Sequence, residues 1–159
     1  MDLEKLMRHM AWSNQHLIVK LQELPETALD LKLTPVDWSV RELANQLILA
    51  AGGYAHALSQ TWTFDNLNQE MLISLDELAR IAKDSDELLR LAAQEPEAII
   101  IRQRPDGEVK RARSTIISQS IHHATEHRAQ ISDTLRVHGI RILDLDEIDL
   151  WAYANVAGE

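Results

Sequence analysis

Residues 3–21 place their apolar side chains at the period of a helix. These residues follow one another at intervals of three, four or seven positions, which puts them on one face of an amphipathic helix. Pro25 interrupts the pattern, because a proline cannot continue a helix. The pattern therefore predicts a first helix that ends before Pro25. Its apolar face consists of Leu3, Leu6, Met10, Leu17 and Leu21.

Two further long helices are indicated by their end signals. Asp37 or Ser39 can cap the start of a second helix, whose apolar pattern runs to about Leu58. The fourth and longest helix is expected to open at Ser114 and to end at Gly139, since glycine favours the backbone conformation that closes a helix.

A third helix and a hairpin are predicted between these two. Ser74 and Glu77 have the spacing of a capping box, so the third helix is expected over residues 75–94. Residues 98–114 then combine a β-branched run with a Pro-Asp-Gly turn at 105–107. That combination is typical of a short β-hairpin.

The elements together predict an all-α protein. Residues 145–157 can form a short C-terminal helix, and no internal repeat or linker divides the chain. We therefore expect a single domain, residues 1–159, built as a four-helix bundle with the hairpin before the fourth helix.

Charge and cysteine content narrow the possible functions. Sixteen basic and twenty-five acidic residues give a net charge of −9, which repels the phosphates of nucleic acid. The chain contains no cysteine, so any thiol chemistry needs a thiol from elsewhere. No run approaches the roughly 18 apolar residues of a membrane span, and the first residues lack the apolar core of a signal peptide. We expect a cytoplasmic protein without nucleic-acid or membrane partners.

The fourth helix has an apolar face and, beside it, a polar face. One is an ordinary core face, and the other carries small and polar side chains where a plain bundle would place large aliphatic ones. His122 points away from both, towards the solvent with Glu126. The core face consists of Ile117, Ile121, Ala124, Ile131 and Leu135, and the polar face of Ile116, Ser120, His123, His127, Gln130 and Thr134.

His123 and His127 are one helical turn apart on the polar face. Their Cβ atoms are therefore about 5–6 Å from each other, and both imidazoles can reach one cation at roughly 2.0–2.1 Å. Histidines at this spacing also occur as simple hydrogen-bonding or surface residues, so the spacing alone leaves both interpretations open. A third ligand, a carboxylate or a histidine, must come from another helix.

Four segments, in the right order along nearly the whole chain, resemble the DinB/YfiT-like superfamily, which includes metalloenzymes. They are "AWSNQHL" at 11–17, "WSVRELANQL" at 38–47, "HATEHRAQI" at 123–131 and "DLDEIDLWAYA" at 144–154. The resemblance implies a four-helix bundle of up-down-down-up topology that is usually a homodimer. It also implies a divalent metal, such as zinc, nickel or iron, held by one histidine of helix two and a His-x-x-x-His pair of helix four.

The chain departs from this ligand set at one position. His123 and His127 match the pair, but the position of the helix-two histidine is occupied by Gln46. A neutral amide oxygen is a poorer ligand than imidazole for zinc or nickel. His16 and His56 are not well placed to replace it, so we expect a weakened metal site formed by Gln46, His123 and His127.

The resemblance further implies a reaction that uses a low-molecular-weight thiol, such as mycothiol or bacillithiol, and a small electrophilic substrate. Arg128 and Gln130 follow the histidine pair as in the superfamily, and Tyr153 lies in the C-terminal match. Arg128 could stabilise negative charge, although an ion pair with a glutamate is the simpler expectation. Tyr153 could close the mouth of the pocket or serve only in packing. Most of the four tryptophans are expected in the core or at a dimer interface.

Three functional hypotheses follow from these observations. The first is a metal-dependent transfer of a small thiol to an electrophile. The second is a degenerate member of the superfamily that binds a small molecule in the same cleft without metal catalysis. The third is a dimeric scaffold that keeps only the fold. Metal content separates the first hypothesis from the others.

Overall fold

The structure, a computed structural model, describes residues 3–35, 37–64 and 72–158. Within these ranges the chain is mainly helical with one small antiparallel sheet, as predicted. The long helices are α1 (Leu3–Gln22), α3 (Val40–Ser59), α4 (Leu75–Ala92) and α5 (Arg113–Val137). The shorter elements are α2 (Glu26–Leu29), β1 (Ile99–Arg104), β2 (Gly107–Ala112), a 3-10 turn (Leu145–Glu147) and α6 (Leu150–Ala157).

The helix ends follow the capping signals of the sequence. Of the two candidate caps of α3, Ser39 serves: its hydroxyl accepts a hydrogen bond from the Glu42 backbone, and the Glu42 carboxylate accepts one from the Ser39 backbone. Helix α5 begins one residue before Ser114, whose backbone N–H donates to the Glu97 carboxylate. Gly139 has a positive φ of 80° just after α5, as expected for a helix-terminating glycine.

The four long helices share one hydrophobic core. Both α1 and α3 pack against α4 and α5, so α5 contacts helices on two sides. The predicted core face of α5 is confirmed, since four of its five residues are buried and Ile121 is half-buried against the core. The polar face of α5 meets α3 at least at His123, whose ring lies against that of Tyr54.

Some apolar side chains remain outside this core. Ile99 and Ile101 of the hairpin are more than half exposed, and Trp151 of α6 is 82% exposed. None of the helices in the described ranges has the length and apolar character that crossing a bilayer requires.

Candidate metal site

The side chains of His123 and His127 meet at their Nε2 atoms. These atoms lie 3.1 Å apart, and the two rings are nearly perpendicular with centroids 4.3 Å from each other. Two nitrogens bound to one metal at 2.0–2.1 Å, with an angle of about 90–110° at the metal, are roughly 2.9–3.4 Å apart. The pair therefore has the nitrogen spacing of two ligands of one ion.

Gln130 fixes the orientation of the His127 ring. The Nδ1–H group of His127 donates to the Oε1 atom of Gln130 at 2.7 Å. With the proton on Nδ1, the Nε2 atom keeps its lone pair and accepts a hydrogen bond from His123. Metal-binding histidines are commonly oriented by such a bond at the second ring nitrogen.

Burial favours the neutral form of His123. Burial lowers the pKa of this imidazole, the charge of His127 lowers the pKa further, and Glu126 partly opposes both effects. A neutral imidazole is the form that coordinates a metal. The environment of His123 thus suits ligation at neutral pH.

Two aromatic residues flank the histidine pair. The Trp38 ring lies 6.0 Å from that of His127, and the Tyr54 ring meets His123 edge-on at 5.8 Å. Trp38 is 48% exposed, so it forms an outer wall of the site rather than part of the core.

A cavity of about 490 Å³ opens beside the pair, within the size range of small-molecule sites. Glu126 is exposed, as the sequence predicted, and also contributes to the cavity lining. The residues that line the cavity are Leu33, Asp37, Trp38, Leu43, His123, Glu126, His127, Gln130 and Thr134.

The third ligand is less well defined. Gln46 is half-buried on α3, one turn after Leu43, but it does not line the cavity. Across the ranges that the structure describes, no three His, Asp or Glu side chains are grouped so as to hold a metal ion. The convergence of Gln46 with the histidine pair therefore stays a prediction.

Comparison with known proteins identifies the family to which this fold and this histidine pair belong. The model of the DinB family matches residues 1–154. The chain belongs to the DinB family. Its structure is similar to that of a DinB-like protein from Bacillus cereus ATCC 10987, with a TM-score of 0.64 and 15% sequence identity. The match covers 86% of this chain and 91% of that one, and at such low identity it bears on the fold alone. No curated protein matched this chain.

The structure places two of the expected site residues of this DinB chain away from the histidine pair. Arg128 is buried, with 4% of its surface exposed, and donates to Asn14 Oδ1 at 2.7 Å and to Thr125 Oγ1 at 3.1 Å. The expected ion pair with a glutamate is therefore wrong. Tyr153 packs 5.6 Å from the ring of Trp12 and borders a different cavity.

A buried acid near Arg128 was not anticipated. Asp86 of α4 is 5% exposed, and burial raises its pKa to about 7, although the charge of Arg128 and the nearby Asn14 lower it. Burial in turn lowers the pKa of Arg128 to about 10, while Asp86 raises it. The sequence held a signal for this group, because Asp86 falls on the apolar face of α4 between Ala82 and Leu89.

Proposed function

We propose that this protein is a metal-dependent enzyme of the DinB type that transfers a low-molecular-weight thiol to a small electrophile. The observation that carries the proposal is the 3.1 Å approach of the His123 and His127 Nε2 atoms, with Gln130 holding the second nitrogen of His127. Such an arrangement supplies two preoriented imidazole ligands to one ion.

His123 and His127 would hold the ion, and Gln46 would add a weaker third ligand. Zinc, nickel and iron all accept imidazole nitrogen, whereas an amide oxygen contributes less to their binding. Gln46 is a reasonable third partner because it is half-buried on α3, one turn from the cavity residue Leu43. With its amide as the third ligand, the site should be weaker than one with three histidines.

A divalent ion held by these residues would lower the pKa of a coordinated thiol, which could then react as a thiolate at neutral pH. The thiol has to be supplied as a substrate, because the chain has no cysteine. Leu33, Trp38 and Leu43 provide apolar walls beside the histidines. These side chains would hold the apolar part of the electrophile and keep water from the reacting atoms.

A metal titration with matched variants tests the proposal. Protein purified without a histidine tag is titrated with zinc and nickel, and its initial metal content is measured by mass spectrometry. Wild type should bind about one ion per chain, and His127→Ala should lose at least about tenfold in affinity, or roughly 1.4 kcal/mol. His122→Ala is the control, since His122 lies on the same helix but is exposed. Equal affinities in all three proteins would refute the role of the pair.

Binding without metal catalysis is the second candidate function. It is favoured by Gln46 in place of a histidine and by the lack, in the described part of the chain, of three grouped His, Asp or Glu side chains. Folded wild-type protein that takes up neither zinc nor nickel would support this function over the first.

We further infer that the four long helices form the up-down-down-up bundle of the family and that the chain is a homodimer. The exposed Trp151, Val156 and Ile99 supply apolar surface for an interface, and a stable dimer should bury at least about 1,000 Å². Sedimentation velocity over a wide concentration range tests the dimer. A monomer at every concentration up to the high micromolar range would overturn it.

A further inference from the structure

A second cavity, of about 600 Å³, lies between α1 and α4 and is bordered by Tyr153 of α6. It shares no lining residue with the cavity beside the histidine pair. Asp86 and Gln15 belong to its wall, and Trp12 faces it together with Tyr153. The proposed metal chemistry makes no use of this space.

Asp86 is an unsatisfied acceptor in the wall of this cavity. Both carboxylate oxygens are shielded from solvent, and neither accepts a hydrogen bond of good geometry from a described residue, although the Asn14 amide is close enough to lower the pKa of Asp86. The nearby guanidinium of Arg128 makes its bonds to Asn14 and Thr125 instead. A buried carboxylate without donors is costly, so this site favours a ligand that brings donors and positive charge.

Gln15 is a second polar side chain of this wall with an unpartnered atom. The Nε2 atom of Gln15 is also buried and finds no acceptor among the described residues. No hydrogen bond from this nitrogen therefore holds the side chain in its present rotamer. A change of that rotamer is the movement that would give a ligand access to Asp86, which belongs to the same wall.

Aromatic side chains form another part of the cavity. The rings of Trp12 and Tyr153 lie 5.6 Å apart and are tilted by 51°, which leaves aromatic surface for an apolar group. Aromatic faces also attract a cation held within about 6 Å. This wall suits the carbon skeleton of a small cationic molecule.

Most of the charged side chains at the rim of the cavity are already paired with one another or with a neighbour. Arg8 is paired with Glu4, and Arg90 is paired with both Glu4 and Glu87. Lys83 is an exposed rim cation, and water and salt screen its charge. Buried Asp86 is therefore the acidic group that a ligand inside the cavity meets, and the charge of nearby Arg128 offsets part of its attraction for a cation.

We propose that this cavity binds a small organic amine, whose ammonium group donates to the Asp86 carboxylate while its carbon skeleton packs against Trp12 and Tyr153. An ammonium group carries three donors, enough for both oxygens, and its charge compensates that of the acid. A neutral alcohol of the same shape supplies a single donor and no charge, and an anion is repelled by Asp86.

Calorimetric titration with 2-phenylethylamine tests this proposal. Wild type should show saturable binding, which Asp86→Asn should weaken at least about tenfold. Asp84→Asn is the matched control, because it removes the same charge from the exposed side of the same helix, where Asp84 pairs with Arg80. 2-Phenylethanol, the neutral counterpart, should bind at least about tenfold more weakly than the amine. His127→Ala should leave the affinity unchanged, which separates this site from the proposed metal site.

Three outcomes would overturn the amine site. They are a lack of saturable binding to wild type, equal affinity in Asp86→Asn, and equal affinity for the alcohol and the amine. Circular dichroism checks the fold of each variant. If Asp86→Asn does not fold, Trp12→Leu replaces it, and an unchanged affinity in that variant would also contradict the proposal.

Discussion

The Nδ1–H group of His127 donates to the Oε1 atom of Gln130 over 2.7 Å, one turn further along α5. Removing the acceptor in Gln130→Ala frees the ring to change tautomer and orientation. Loss of such a bond typically costs 10–100-fold in metal affinity, so we expect zinc binding to weaken by at least about tenfold in a competition titration with a chelator. Gln119→Ala, an exposed glutamine on the same helix, should change nothing. Equal zinc affinity in both variants would exclude an orienting role for Gln130.

Gln46→His should strengthen the same site. Two imidazoles are already oriented on α5, so a third adds a strong ligand at little further entropic cost. Zinc or nickel affinity should rise by at least about tenfold, or roughly 1.4 kcal/mol, when measured by titration of wild type and variant. In the double variant Gln46→His with His127→Ala, the gain should disappear. An affinity that does not rise would show that Gln46 lies away from the site or that another residue completes it.

Asp86 should make the folded state less stable as the pH rises. The carboxyl has its ordinary pKa of 3.8 in the unfolded chain and a pKa of about 7 in the fold, because it is buried. Between these values the folded state binds more protons, so its free energy of unfolding falls from about pH 4 to about pH 7 and then levels off. The total effect is at most about 4 kcal/mol.

Urea unfolding at pH 5 and pH 8 measures this effect. The stability of wild type relative to Asp86→Asn should be lower at pH 8 than at pH 5. Asp84→Asn, which removes an exposed carboxyl, should show little such change against wild type. If the difference between wild type and Asp86→Asn is the same at both pH values, the buried carboxyl does not titrate in this range.

Two adjacent glycines of α3 should respond in opposite ways to alanine. A Cβ atom at Gly52 would overlap the Phe64 ring, whereas one at Gly53 would meet no atom within 4 Å. Gly52→Ala should therefore destabilise the fold by about 1–3 kcal/mol, and Gly53→Ala should stabilise it by about 0.5–1 kcal/mol through helix propensity. Denaturant midpoints report both. Equal shifts in the two variants would contradict the close packing of Phe64 on α3.

Local signals allowed most of the fold to be predicted. Each of these signals acts over a few residues, so a short stretch of sequence is enough to recognise it. They are the caps at Ser39 and Ser74, the Pro-Asp-Gly turn and the closing glycine at Gly139. Helix α5 starts one residue before the predicted position, and the Glu97 carboxylate, which accepts a hydrogen bond from Ser114 in its first turn, lies seventeen positions earlier in the chain.

One part of the candidate site could also be predicted, because its interactions lie within a short stretch of sequence. The spacing of His123 and His127 lies within one helix, and so does the bond from His127 to Gln130. The Asp86, Asn14 and Arg128 group brings together α4, α1 and α5, so its contacts depend on how the helices are arranged. Each of the three residues interrupts an apolar face in the sequence, which marks a buried polar residue but does not name its partner.

The hydrogen bond from Arg128 to Asn14 constrains how the proposed metal site could change in evolution. Sliding α5 by one turn moves it about 5.4 Å, which would break this bond and leave a buried guanidinium without its partner. We infer that the bond fixes the position of α5 along the axis of α1. It thereby also fixes the position of His127, the residue immediately before Arg128. Substitutions at position 46, the proposed third ligand, would then alter the ligand set without shifting the helices, so a histidine could be lost or gained there on an unchanged scaffold.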